Sequence, residues 1–136
     1  MDILHKYYCH KRVFTFAELQ TKTRAPCYKG INETPHYFVL TSSKTSGYQD
    51  EINRDTIMYD GYGLKGDQVM KGDNVRLRDT KKLLFVFYKE DRNRWVYRGV
   101  YKVDGQPVKV DDNGRKVFKF PLDSAVREGN CVRGYI

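Results

Sequence analysis

Tyr48 and Tyr59 bracket two carboxylates, Asp50 and Glu51, and a third, Asp60, follows directly. The runs that carry them are Gly47-Tyr48-Gln49-Asp50-Glu51 and Tyr59-Asp60-Gly61-Tyr62-Gly63, closed by Asp67-Gln68. Two aromatic rings with acceptors between them suit a flat heterocycle that carries hydrogen-bond donors. The rings stack on its faces and the carboxylates accept from its amino edge. The plainer alternative is that the rings simply pack, which eleven tyrosines make ordinary, and that the acids form a solvated turn. The rest of the chain is basic, with 25 Lys and Arg against 17 Asp and Glu and a net charge of +8. An acidic, aromatic site on a cationic body points to a nucleobase in a phosphate-bearing partner.

Other chemistries have less support. The three cysteines, Cys9, Cys27 and Cys131, are too few and too irregularly spaced for a disulfide framework, and they suit a reducing, intracellular compartment. Whether that compartment is a nucleus or a nucleoid depends on the host. His5, Cys9, His10, Cys27 and His36 could be drawn as a zinc set, but no CxxC or HxxxH pair presents two ligands together. No nucleophile and base stand at usable spacing, so neither a catalytic residue nor a cofactor or metal is expected. No apolar run approaches the ~20 residues of a membrane span, and no membrane partner is expected. A length of 136 residues suits one domain, 1–136, with no linker or repeat.

The elements that must position the site read as many strands and few short helices. Thr15 is placed to cap a helix over Phe14–Gln20. His36–Thr41 and Asp55–Tyr59 have strand character, and Asp67–Leu77 suggests a helix despite Gly72. Leu83–Tyr88 is apolar almost throughout, as a strand covered on both faces would be. Arg94–Val103 alternates around Gly99, which marks a bulge. Asn113-Gly114 is a hairpin dipeptide, and Val117–Leu122 returns as a strand. The fold class is α+β, mainly β: a curled sheet or small β-barrel.

Three blocks in order resemble the SRA (SET- and RING-associated, or YDG) domain, a PUA-like β-barrel. Gly47-Tyr48-Gln49-Asp50-Glu51 and Tyr59-Asp60-Gly61-Tyr62-Gly63 are similar to the family's Gly-Tyr-Glu-Asp-Asp and Tyr-Thr-Gly-x-Gly. Asp67-Gln68-Val69-Met70-Lys71-Gly72-Asp73-Asn74-Val75-Arg76-Leu77 aligns on Asp-Gln-x-Leu-x-x-Gly-Asn-x-Ala-Leu. Tyr97-Arg98-Gly99-Val100-Tyr101-Lys102-Val103 resembles Tyr-Asp-Gly-x-Tyr-x-Val, with Val117–Leu122 as the last strand. The likeness spans about residues 30–122.

The resemblance implies a reader of double-stranded DNA that flips a modified cytosine, 5-methyl or 5-hydroxymethyl, out of the duplex. Tyr48 and Tyr59 would be the stacking pair, with Gly47 allowing close backbone approach. Glu51 or Asp50 would accept from the exocyclic amine, and Asp60 would stand near the ring edge. Lys65, Lys71, Arg76, Arg94 and Arg98 are the candidate phosphate contacts. In bacterial relatives such a domain is often joined to a nuclease, so a nuclease or chromatin partner is expected. Two alternatives stay open. One is a small metal-dependent nuclease using Asp50, Glu51, Asp55 and Asp60; the other is a PUA-like RNA or nucleotide binder.

Departures from the family pattern carry expectations too. The Tyr48-to-Tyr59 spacing is one residue short, Glu51 replaces an Asp, and Asp60 replaces a threonine. Such a pocket would prefer a larger or more donor-rich base. Only Leu64-Lys65-Gly66 separates Gly63 from Asp67, where readers of hemimethylated DNA carry a long finger loop. Strand-asymmetric readout is therefore not expected.

Overall fold

A strand whose consecutive residues are all apolar needs cover on both sides, and that requirement organises this molecule. The structure is a computed structural model that describes residues 12–43 and 56–125. In chain order its elements are β1 (Val13–Phe14), α1 (Phe16–Thr23), β2 (Ile31–Glu33), β3 (Tyr37–Ser43) and β4 (Thr56–Asp60). They continue with α2 (Asp73–Asp79), β5 (Leu83–Asp91), β6 (Arg94–Val103), β7 (Val108–Asp112) and β8 (Arg115–Ser124). The strands form one sheet in the order β2-β3-β5-β6-β8-β4, with β1 added to β6 and β7 to β8. β3 and β5 run parallel, and the other pairs are antiparallel.

β5 separates two cores. Leu84 and Val86 point into a cluster with Ile31, Phe38, Leu40, Ile57, Tyr59, Leu77, Tyr101, Phe120 and Leu122. Phe85 and Phe87 point the other way, among Phe14, Leu19, Val39, Tyr97 and Val100 beneath α1. Each such side chain contributes roughly 1.5–3 kcal/mol when fully buried. The expected two-faced strand is therefore found, and it is longer than Leu83–Tyr88.

Local signals account for several joints. Thr15 caps α1, its hydroxyl accepting from Glu18 N at 3.1 Å while Thr15 N donates to Glu18 Oε1 at 2.8 Å. The β5–β6 register slips between Val86↔Gly99 and Phe87↔Tyr97, leaving Arg98 as the extra residue of the bulge expected at Gly99. Asn113 and Gly114 both take positive φ and close the β7–β8 hairpin. Among the described residues no helix is long and apolar enough to cross a membrane.

The stretch Asp67–Leu77 departs from its expected helix. α2 begins only at Asp73, because Gly72 sits at φ 60° and breaks any helical run from Asp67. Asp67 instead uses Oδ1 to accept from Lys116 N of β8 at 2.8 Å.

Candidate functional site

Tyr59 lies on the inner face of β4 with Ile57, while Met58 points outward. Its ring joins the first core and is 4% exposed. Its hydroxyl donates to the Thr41 carbonyl at 2.6 Å. Burial, helped by the Asp60 charge, pushes the phenol far above its ordinary pKa, so it stays a donor. β3 and β4 are separated in the ladder by β5, β6 and β8. A direct bond between them is possible only because the sheet curls. Thr41 in turn is held to β2's approach, its N donating to Gly30 O at 2.9 Å.

Asp60, expected near the edge of a bound base, directly follows Tyr59. One residue further along β4, it takes the opposite face, and its carboxylate accepts from Lys119, its register partner on β8. Burial raises the Asp60 pKa, and the Lys119 hydrogen bond and charge partly offset it. This carboxylate is committed to an ammonium within the fold.

Behind the Tyr59-Asp60-Gly61-Tyr62-Gly63 turn sits a polar scaffold. Gln68 Nε2 donates to the carbonyls of Gly61 at 2.8 Å and Gly63 at 3.1 Å, and its Oε1 accepts from Phe118 N at 2.8 Å. Asn74 Oδ1 accepts from Tyr62 N at 2.7 Å, and Nδ2 donates to Tyr62 O and Val69 O at 3.1 and 3.0 Å. Both side chains are buried. They act as a backbone substitute, satisfying a loop that has no ladder of its own. Arg115 adds two bonds, to Gly66 O at 2.8 Å and Gly63 O at 2.9 Å. The short connection through Leu64 and Lys65 is thereby clamped at both ends.

Of the remaining base-site candidates, Gly47, Tyr48, Asp50 and Glu51 lie outside the described residues. The cationic candidates differ in setting. Lys65 and Lys71 are exposed. Arg76 is engaged by Asp73 at 2.5 Å and Glu33 at 3.7 Å, and Arg94 by Glu90 at 3.2 Å. Arg98 is the half-buried bulge residue of β6. Lys29 also pairs with Asp73 at 2.9 Å. Burial works against the Asp73 charge, but Lys29 and Arg76 outweigh it and hold the carboxyl below its ordinary pKa. These pairs join half-exposed Lys29 and Arg76 to an Asp73 carboxylate that is itself only 10% exposed.

Among the described residues no three His, Cys, Asp or Glu gather in a metal-holding group. Cys27 is buried against Thr23, His36 is exposed, and His5, Cys9 and His10 lie outside the described residues. Sequence reading missed four contributors: Gly30, Thr41, Arg115 and Lys119. None carries a local signal, because each acts on a residue far away in the chain.

The model of the ScoMcrA-like SRA domain matches residues 28–129. That is most of the chain. It belongs to the SRA domain family. The curled, mainly β sheet is the part of this SRA domain that the resemblance leads one to expect. Solved structures share the fold. The SUVH5 SRA domain in a complex with methylated CHH DNA is 22% identical, with a TM-score of 0.71 over 87% of this chain and 89% of that one. The same domain bound to fully hydroxymethylated CG DNA is 24% identical, with a TM-score of 0.64 over 82% and 84%. Arabidopsis thaliana SUVH6 in complex with SAM is 20% identical, with a TM-score of 0.65 over 87% of this chain and 25% of that one. No curated protein matches the sequence.

Proposed function

We propose that this SRA domain binds double-stranded DNA containing a modified cytosine and holds that base, flipped from the duplex, against Tyr59 and Tyr48. The observation that supports it most is the family match over residues 28–129, joined to a fold shared with SRA domains solved on methylated and hydroxymethylated DNA. Net charge suits the phosphate backbone, and exposed Lys65 and Lys71 flank the clamped turn. Flipping costs a few kcal/mol, which stacking of about 1–3 kcal/mol on each aromatic wall can offset.

In this reading Tyr59 supplies a ring face rather than a hydrogen bond, since its proton is already given to Thr41. The acceptors for the exocyclic amine are Glu51 and Asp50. The Asp60 side chain is not among them, because it holds Lys119. With Asp60 turned away, a preference for the larger 5-hydroxymethyl group rests on the longer Glu51 alone. The domain reads without cleaving, and any cutting belongs to a separate or fused nuclease. The domain works inside the cell.

The test is an affinity panel on duplexes that differ only in one cytosine: unmodified, 5-methyl, 5-hydroxymethyl and glucosylated 5-hydroxymethyl. It is run with and without magnesium, and strand integrity is checked on gels. Preference for a modified duplex with intact strands is expected. Equal affinity for all four contradicts the reading, and magnesium-dependent cleavage replaces it with the nuclease alternative.

A further inference from the structure

Tyr59 can reach Thr41 only because residue 30 has no side chain. A Cβ built on Gly30 would lie 2.8 Å from the Tyr59 hydroxyl oxygen and 3.3 Å from the Thr41 carbonyl oxygen. Contacts that short do not persist, so any larger residue must displace the phenol or the carbonyl that anchors it. Neither has much room to yield. Thr41 is tied on both sides, N to Gly30 O at 2.9 Å and Oγ1 to Lys29 O at 3.3 Å. Asn32 Nδ2 pins the same turn through Lys29 O at 2.9 Å and Val39 O at 3.1 Å. The ring end of Tyr59 is packed in a core where every methylene is felt.

We infer that Gly30 is the positioning residue for base recognition: with the Thr41 carbonyl, it sets how deep the Tyr59 ring sits and hence where the modified base can stack. Resting on the reading above, this assigns a role in specificity to a residue distant in sequence from both tyrosines. A stacking wall displaced by a fraction of an ångström loses its partner, while phosphate contacts on the surface are unaffected.

The steric relation supplies its own control. Removing the hydroxyl oxygen removes the atom that the new methyl would strike, so Tyr59→Phe should rescue Gly30→Ala. Three variants are titrated on modified and unmodified duplexes, and each is also melted. Gly30→Ala is expected to lose about tenfold in preference for the modified duplex, the lower range of what one base–aromatic stack supplies, with unmodified binding unchanged. Its melting point should fall by at least ~4 °C. Tyr59→Phe alone, which gives up the Thr41 anchor but keeps the ring face, should lose part of the preference, less than Gly30→Ala does. The double variant should match Tyr59→Phe and so regain both preference and melting point relative to Gly30→Ala.

Unchanged preference in Gly30→Ala overturns the inference. So does a double variant no better than Gly30→Ala, which would mean a general loss of fold. A wild-type domain with no preference for any modified duplex fails at the preceding step, and it brings down the base-reading function itself.

Discussion

The carboxylate of Asp60 meets the ammonium of Lys119 directly across the β4–β8 register, on the face of β4 turned away from Tyr59. Two adjacent residues of one motif thus serve opposite sides of the sheet. Tyr59 anchors the inner face to β3, and Asp60 stitches the outer face to β8.

Asp60 and Asp73 should respond oppositely to acid. The folded-state pKa of Asp60 is raised by burial, so its contribution to stability is complete below the ordinary value of 3.8 and is lost as pH rises through the folded value. The Asp73 pKa is lowered on balance, since Lys29 and Arg76 outweigh burial, so its contribution is present above 3.8 and lost as pH falls through the folded value. Urea unfolding between about pH 3 and pH 6 checks this. Asp73→Asn should flatten the loss of stability on acidification and Asp60→Asn should steepen it. Shifts of the same sign in both variants would refute the assignment.

Gln68 should matter to stability more than a turn glutamine ordinarily does. Gln68→Ala leaves the carbonyls of Gly61 and Gly63 and the amide of Phe118 without their side-chain partner. The expected cost is roughly 2–3 kcal/mol, read from denaturant midpoints at unchanged slope. A cost below about 0.5 kcal/mol, the level of an ordinary surface change, would remove the scaffold role.

Lys65 and Lys71 should contribute affinity without specificity. Alanine at either position is expected to weaken binding equally on modified and unmodified duplexes, and to reduce the slope of log K against log salt by about one. Arg76→Ala should have a smaller effect, because Asp73 and Glu33 already compete for its charge. A change in preference between duplexes on loss of Lys65 would instead put that residue at the base.

What the chain revealed in advance divides by range. The Thr15 cap, the Gly99 bulge and the Asn113-Gly114 hairpin rest on neighbours in sequence, and all three are found. The double-sided β5 was legible because nothing polar interrupts Leu84–Phe87. β1 and β2 are two and three residues long, and they exist only through pairing with β6 and β3, so no local pattern announces them. β7 was missed because it is a largely exposed edge strand with little apolar alternation. The helix expected from Asp67 failed because the carboxylate and amide of Asp67-Gln68 are drawn to β8, forty-nine and fifty residues away. At the site, Tyr59 was legible as an aromatic wall, but its anchor at Thr41 and the space left by Gly30 follow from the curl of the whole sheet. The committed partner of Asp60 had no signal either, since Lys119 becomes its neighbour only in the β4–β8 register.

The central claim is that the modified cytosine leaves the stack, and one fluorescence measurement addresses it most directly. A 2-aminopurine placed beside the modified cytosine is quenched while its neighbour stays stacked and brightens when that neighbour departs. Titration with the domain should raise its emission on the modified duplex. The rise should be several-fold smaller on the unmodified duplex, and it should vanish with Tyr48→Ala. Saturable binding to the modified duplex with no rise in emission would contradict base extrusion.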